Sequence, residues 1–226
     1  MNLFDLEHTT IPVANAEDEF PVRRIYCIGR NYAAHSREMG HNPDREPPFY
    51  FMKPADAVVV GTATIDYPPR TADLHHEIEL VVAIGKDGSD IAVDAALEHV
   101  FGYAVGIDLT RRDLQKEAKK LGRPWDTAKG FDQSAPISAI HKATDIGHPS
   151  SGRIWLAVND EIRQQGDLNE LIWGIAEAIA ELSTLFEIKQ GDILFTGTPS
   201  GVGAVIAGDR LTGGIEGIDE IQITIK

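Results

Sequence analysis

Glu77 and Glu79 stand two residues apart at the head of Leu74-His75-His76-Glu77-Ile78-Glu79-Leu80-Val81-Val82-Ala83-Ile84, a run too apolar for a surface strand. In a strand, alternate side chains share a face, so the two carboxylates point the same way and Val81 follows one step later. A carboxylate held that close to an apolar wall is costly unless a cation offsets it, and one divalent ion does so for two carboxylates at once. The same pattern also fits a half-exposed antiparallel strand with Glu77 and Glu79 in water and Ile78 and Leu80 inside. A metal site needs a third oxygen ligand on a neighbouring element. Asp108, at the end of an apolar run over 100–107, is placed to supply it, although it would equally cap a helix ahead of Thr110. Three carboxylates favour magnesium, manganese or calcium over zinc, and magnesium keeps open positions for water and for a chelating substrate.

A second set of residues could move protons. His35 and Glu38 are three apart on a predicted short helix and share a face, with Asn31 one turn earlier. A carboxylate beside an imidazole raises its basicity and fixes its tautomer, which makes a water-activating base; an ordinary surface pair has the same spacing. Lys129, a lone lysine among small residues in a predicted loop after Trp125, is either a cation for a developing oxyanion or a solvated loop charge.

Several elements must position these groups. Residues 1–20 read as a lead-in segment, followed by a strand at 24–28 ending on Gly29. The helix carrying His35 spans 31–39, with Asn31 as its start cap and Gly40 as its stop. Strands follow at 49–53 and 57–60, then the acidic strand to Ile84, a short helix at 93–99 and the strand ending on Asp108. Thr110-x-x-Asp113 opens an amphipathic helix that runs to Lys120 and stops at Gly122. A strand at 154–158 turns at Asn159-Asp160, and Asp167-x-x-Glu170 caps the longest helix, with Leu171, Ile172, Ile175, Ile179, Leu182, Leu185 and Phe186 at helical spacing. From Gly191 only short strands and glycine-rich turns remain. This order predicts a β-rich α+β domain over 21–226 rather than a doubly wound sheet.

Composition removes whole classes of function. The 226 residues, 42% of them hydrophobic, suffice for one sizeable core. Lys and Arg number 21 against 35 acids, a net charge of -14 that argues against wrapping nucleic acid or an anionic membrane. Cys27, the single cysteine, excludes a disulfide framework and a cysteine zinc site, and its apolar setting predicts a buried, inert thiol. The N-terminus has no signal-peptide pattern and no apolar run reaches membrane length, so a soluble cytoplasmic protein with small-molecule or protein partners is expected. Thr196-Gly197-Thr198-Pro199-Ser200-Gly201-Val202-Gly203 lacks the lysine and helix of a phosphate-binding loop, no Gly-x-Ser-x-Gly is present, and His75-His76-Glu77 is not His-Glu-x-x-His.

Taken together, Gly29-Arg30-Asn31-Tyr32-Ala33-Ala34-His35-x-x-Glu38-Met39, Lys53-Pro54, His75-His76-Glu77-x-Glu79, Asp108, Lys129-x-Phe131 and Gly191-Asp192-x-x-x-Thr196-Gly197-Thr198-Pro199 resemble the fumarylacetoacetate hydrolase family, in order from about Phe20 to Lys226. The chain is similar to the short, single-domain acylpyruvate hydrolases, and Pro47 to Val58 most resembles those that cleave 3-fumarylpyruvate. The resemblance implies a β-rich α+β mixed-sheet roll of the family's C-terminal-domain type with a few peripheral helices, assembled as a homodimer. It implies magnesium or manganese on Glu77, Glu79 and Asp108, a His35–Glu38 dyad on a lid helix, and Lys129 as the enolate-stabilising cation. Gln115 and Thr198 would contact the pyruvyl end of a 2,4-dioxo acid, and Arg30, Arg37 or Arg111 a distal carboxylate. The implied reaction is hydrolytic cleavage of 3-fumarylpyruvate to fumarate and pyruvate in aromatic (gentisate) catabolism. Oxaloacetate decarboxylation, a general acylpyruvase, a family isomerase or hydratase, and a non-catalytic divalent-cation-binding protein are the alternatives.

Overall fold

Alternating apolar side chains on both faces make β8 (Ile78–Ile84) the buried centre of the molecule. Every residue of this strand is buried. The structure, a computed structural model, describes Leu3, residues 8–38 and residues 46–226. An eight-stranded mixed sheet runs in the order β4 (Phe49–Lys53), β3 (Arg24–Gly29), β15 (Asp192–Phe195), β8, β9 (Val100–Ile107), β11 (Ala135–Ile137) and β5 (Val58–Val60), with β12 (His141–Lys142) also pairing β9. Leu80, Val82 and Ile84 point into one core, shared with Tyr26, Tyr103, Leu194 and helix α5 (Ile175–Leu185). Val81 and Ala83 point into the other, shared with Ile25, Cys27, Ala104 and Phe195. The Cys27 thiol is fully buried and pushed well up by desolvation, the inert state its setting predicts.

The first core is closed by a five-stranded sheet of β14 (Glu161–Asp167), β13 (Arg153–Val158), β17 (Arg210–Ile215), β18 (Asp219–Ile225) and β6 (Ala63–Ile65). The second is closed in part by a hairpin of β1 (Thr10–Pro12) and β2 (Glu19–Pro21), where the sequence reading placed no strand; Ile11 and Phe20 are buried there. A small sheet of β10 (Thr110–Arg111), β7 (Leu74–His76) and β16 (Gly203–Val205) lies beside them. The result is a β-rich α+β roll with few helices, as the sequence predicts.

Four local expectations are corrected. The acidic strand is not continuous: β7 belongs to the small sheet and β8 to the large one, so Glu77 occupies the step between them. Helix α1 is Ala33–Glu38, and Asn31 does not cap it, because both ends of its amide are used elsewhere. Met39 and Gly40, expected at its end, lie outside the described residues. Helix α2 is Arg112–Leu121 with Gly122 left-handed at its end as expected, but Thr110 lies in β10 and its hydroxyl donates to Asp108 O rather than capping. The Asp167–Glu170 capping box exists, yet it caps only a 3-10 turn, Leu168–Glu170, and α5 starts afresh at Ile175. Asn31 explains the break: its carbonyl accepts from Ile172 N and its Oδ1 from Trp173 N, so tertiary bonds take the amides that a continuous helix would use.

Candidate active site

The step between β7 and β8 is where the three predicted acids meet. Asp108 N donates to Glu77 O at 2.8 Å, which fixes the end of β9 against the step. Ligand atoms of Glu77, Glu79 and Asp108 all lie within 4.8 Å of one another, and all three residues are buried. Glu77 thus sits at the break between β7 and β8, and Glu79 inside β8.

Cations surround two of these acids. Lys129 Nζ donates to Glu77 Oε2 at 2.7 Å and to Asp108 Oδ2 at 2.5 Å. Lys53 Nζ is 2.8 Å from Asp108 Oδ1, and Arg112 Nη2 donates to Glu77 Oε1. Lys129 is not in a loop: it ends the short helix α3 (Asp126–Lys129), which fixes the direction of its side chain. Burial opposes ionisation of Glu77, but Lys129 and Arg112 hold its carboxyl well below the ordinary range. Burial likewise works against the Lys129 ammonium, and Asp108 and Glu77 hold it above its ordinary value.

Glu79 is treated differently. It makes no ion pair among the described residues, and its Oε2 accepts only from Gly197 N, at 2.7 Å. Burial, then the like charges of Asp108 and Glu77, push its carboxyl well above the usual range. A buried carboxylate without a cation, beside two others, is what a divalent ion would relieve, and an all-carboxylate oxygen donor set fits magnesium or manganese.

The remaining predicted residues divide by position. His35, Arg30, Gln115 and Lys129 line one cleft with the three acids. His35 Nδ1 is 3.3 Å from Glu38 Oε2, and Glu38 in turn accepts from Gly201 N at 3.1 Å. Burial lowers the His35 pKa, with Glu77 and Glu38 partly opposing it. Gln115 Oε1 accepts from Arg112 Nη1 at 2.6 Å, which leaves its NH2 group as the donor end. Thr198 is buried but does not line the cleft; its hydroxyl accepts from Gln164 Nε2 at 2.8 Å. Arg37 is exposed on α1, and Arg111 lies over Phe131, 4.4 Å from the ring centroid.

Sequence reasoning assigned no role to Lys53, Arg112 or Gln164. Gln164 Oε1 accepts from Ile78 N at 3.1 Å and from His76 Nδ1 at 2.8 Å, so it ties the strand break to the glycine-rich loop through Thr198. A signal for Arg112 was present: the buried face of α2 is Arg112, Gln115 and Ala118, too polar for a core-facing helix.

A model described as "Fumarylacetoacetate (FAA) hydrolase C-terminal" matches residues 24–226. The chain belongs to the fumarylacetoacetate hydrolase family. A fumarylpyruvate hydrolase of a Ralstonia species is 46% identical over 189 residues, 83% of this chain and 98% of the relative. The crystal structure of fumarylpyruvate hydrolase from Pseudomonas aeruginosa in complex with Mn2+ and pyruvate superposes with a TM-score of 0.98 at 50% identity, covering 100% of this chain and 99% of that one. A mitochondrial oxaloacetate decarboxylase of Dictyostelium discoideum is 39% identical over 198 residues, 87% of this chain and 90% of the relative. The fold is thus the family's, and the protein is an enzyme, a hydrolase. A purely cation-binding protein falls away as a reading. Among the described residues, no helix is long and apolar enough to cross a membrane.

Proposed function

We propose that the protein hydrolyses the carbon-carbon bond of a 2,4-dioxo acid, taking 3-fumarylpyruvate and water to fumarate and pyruvate. The observation that carries this reading is the meeting, in one cleft, of a buried imidazole and a three-acid cluster whose Glu79 has no ion-pair partner among the described residues. The Ralstonia and Pseudomonas relatives, named for this reaction, support the choice of substrate.

Glu77, Glu79 and Asp108 would hold magnesium or manganese; Mn2+ and pyruvate are named in the Pseudomonas structure. When bound, such an ion supplies a Lewis-acidic anchor for the oxo-carboxylate end of the substrate and offsets negative charge on the departing pyruvyl group. His35, its Nδ1 held by Glu38, takes a proton from water at its other ring nitrogen, and that water attacks the carbonyl distal to the carboxylate. Lys129 spends two of its three N–H groups on Glu77 and Asp108, so the third is left to donate to the developing enolate oxygen. The NH2 group of Gln115 donates to the pyruvyl carboxylate, while Thr198 acts from behind the wall, holding the glycine-rich loop through Gln164.

Decarboxylation of oxaloacetate, supported by the Dictyostelium relative, is the second reading: it needs the same anchor and the same enolate but no attacking water. The test is the rate at which the enol ultraviolet absorbance of 3-fumarylpyruvate, acetylpyruvate and oxaloacetate is lost with enzyme and magnesium. Fumarylpyruvate is expected to be fastest. A fastest rate on oxaloacetate would favour the second reading, and a fastest rate on acetylpyruvate would demote the fumaryl assignment.

A further inference from the structure

Two cations on the wall of the cleft have no ion-pair partner among the described residues. Arg30 lies just after β3, its backbone in the left-handed region with φ of 62°, an unfavourable place for a side chain that only the surrounding structure sustains. Its guanidinium carbon is 5.3 Å from the Phe49 ring centroid, and its Nε is buried without a hydrogen-bond partner. Lys119, near the end of α2, places Nζ 5.0 Å from the Trp125 ring centroid. Among the described residues neither side chain makes an ion pair, in a chain with 35 acidic residues. Burial, then the like charges of Arg112 and Arg30, push the Lys119 ammonium down to about 8, which shows the cations converging in a partly desolvated space.

The rings between these cations and the acid cluster form a continuous row. Lys129 Nζ, bonded to Glu77 and Asp108, is 4.9 Å from the Phe51 centroid. Phe51 is 5.7 Å from Trp125, and Trp125 is 5.3 Å from Phe49 in an edge-on contact. All three rings line the cleft. Gly29 lets Phe49 lie against the end of β3: a Cβ there would come within 2.0 Å of the ring. The cleft therefore has acids and Lys129 at one end of an aromatic row, and Arg30 with Lys119 at the other. A ligand matching it is anionic at both ends and planar and apolar between them.

We propose that Arg30 and Lys119 together receive a second carboxylate on the substrate, so that the enzyme selects dicarboxylic over monocarboxylic 2,4-dioxo acids. This rests on the hydrolytic reading above and adds the residues that read the acyl end. Arg37 and Arg111, the other arginines considered for this role, do not line the cleft.

The test compares wild type, Lys119→Gln, Lys119→Arg and Arg30→Lys, all loaded with manganese. The measurements are kcat/KM for 3-fumarylpyruvate and for acetylpyruvate, which ends in a methyl group, and the Kd of fumarate by calorimetry. The fumarylpyruvate to acetylpyruvate ratio is expected to fall about tenfold or more in Lys119→Gln, through KM, and to recover in Lys119→Arg, because one charged hydrogen-bonded contact is lost and then restored. Arg30→Lys keeps the charge but loses the planar fork, so its ratio should fall less. A ratio unchanged in Lys119→Gln would overturn the proposal. Should wild type turn over neither dioxo acid, fumarate binding decides separately: binding weakened about tenfold in Lys119→Gln keeps the receptor while the hydrolytic reading falls, and unchanged binding ends both.

Discussion

Burial holds the His35 pKa below its ordinary 6.5, against the opposing fields of Glu77 and Glu38. A lowered pKa means that the neutral, proton-accepting form persists to lower pH, so the acid limb of kcat/KM is expected below 6.5; a limb well above it would contradict the environment described. His35→Ala should reduce turnover by about 10²- to 10⁴-fold while metal still binds, measured by steady-state kinetics beside a manganese titration. Lys119 gives a limb of the opposite sense. Its charged form exists below pH about 8, in the combined field of Arg112 on its own helix, Arg30 after β3, Glu77 at the strand step and Lys129 at the end of α3. The kcat/KM for a dicarboxylic substrate should therefore fall as pH rises past about 8, and Lys119→Arg should remove that fall. At this scale the sequence was informative about placement: Glu77, Glu79 and Asp108, singled out by type and spacing, do come together, and His35, in contact with Glu38, lines the same cleft. It was silent on Lys53 and Arg112, because a lysine in β4 and an arginine at the start of α2 acquire their roles only when folding buries them against Asp108 and Glu77.

The glycine-rich loop is the element that joins the two halves of the site. Gly197 donates to Glu79 and Gly201 to Glu38, so one loop braces both a metal-ligand candidate and the partner of the candidate base. Gly197 has φ of 100°, and a Cβ there would come within 2.7 Å of the Asn31 Cβ. Gly197→Ala should destabilise the fold by about 1–3 kcal/mol, read as a fall in the thermal midpoint, and should weaken manganese binding with it. Unchanged metal affinity would remove the loop from the site. Elements with strong periodicity, such as β8, β9 and α5, were legible in the sequence. The true start of α5 was not, because Asn31, far away in the chain, takes the backbone amides of Ile172 and Trp173. Likewise the run from Leu74 to Ile84 reads as one strand, and only the packing of two sheets divides it at Glu77.

For the whole molecule, two apolar cores on either side of β8 hold the acid cluster at the step between sheets, so the site is built on the most buried part of the fold. The second core reaches into residues 10–21, whose short strands carry too weak a periodicity to be read from sequence. We expect a homodimer, observed by light scattering as twice the 24.7 kDa chain mass; a monomer would contradict that assembly. We also expect Glu79→Gln to weaken manganese binding by more than about a hundredfold, since even changes outside the ligand shell cost up to that much, and an unchanged titration would refute the metal site. The most direct test of the account is turnover of 3-fumarylpyruvate in water labelled with heavy oxygen, followed by mass spectrometry of the products. The account predicts fumarate and pyruvate in equal amounts, with label entering a fumarate carboxylate and none entering the pyruvate carboxylate. Carbon dioxide as a product, or label in the pyruvate carboxylate, would contradict it.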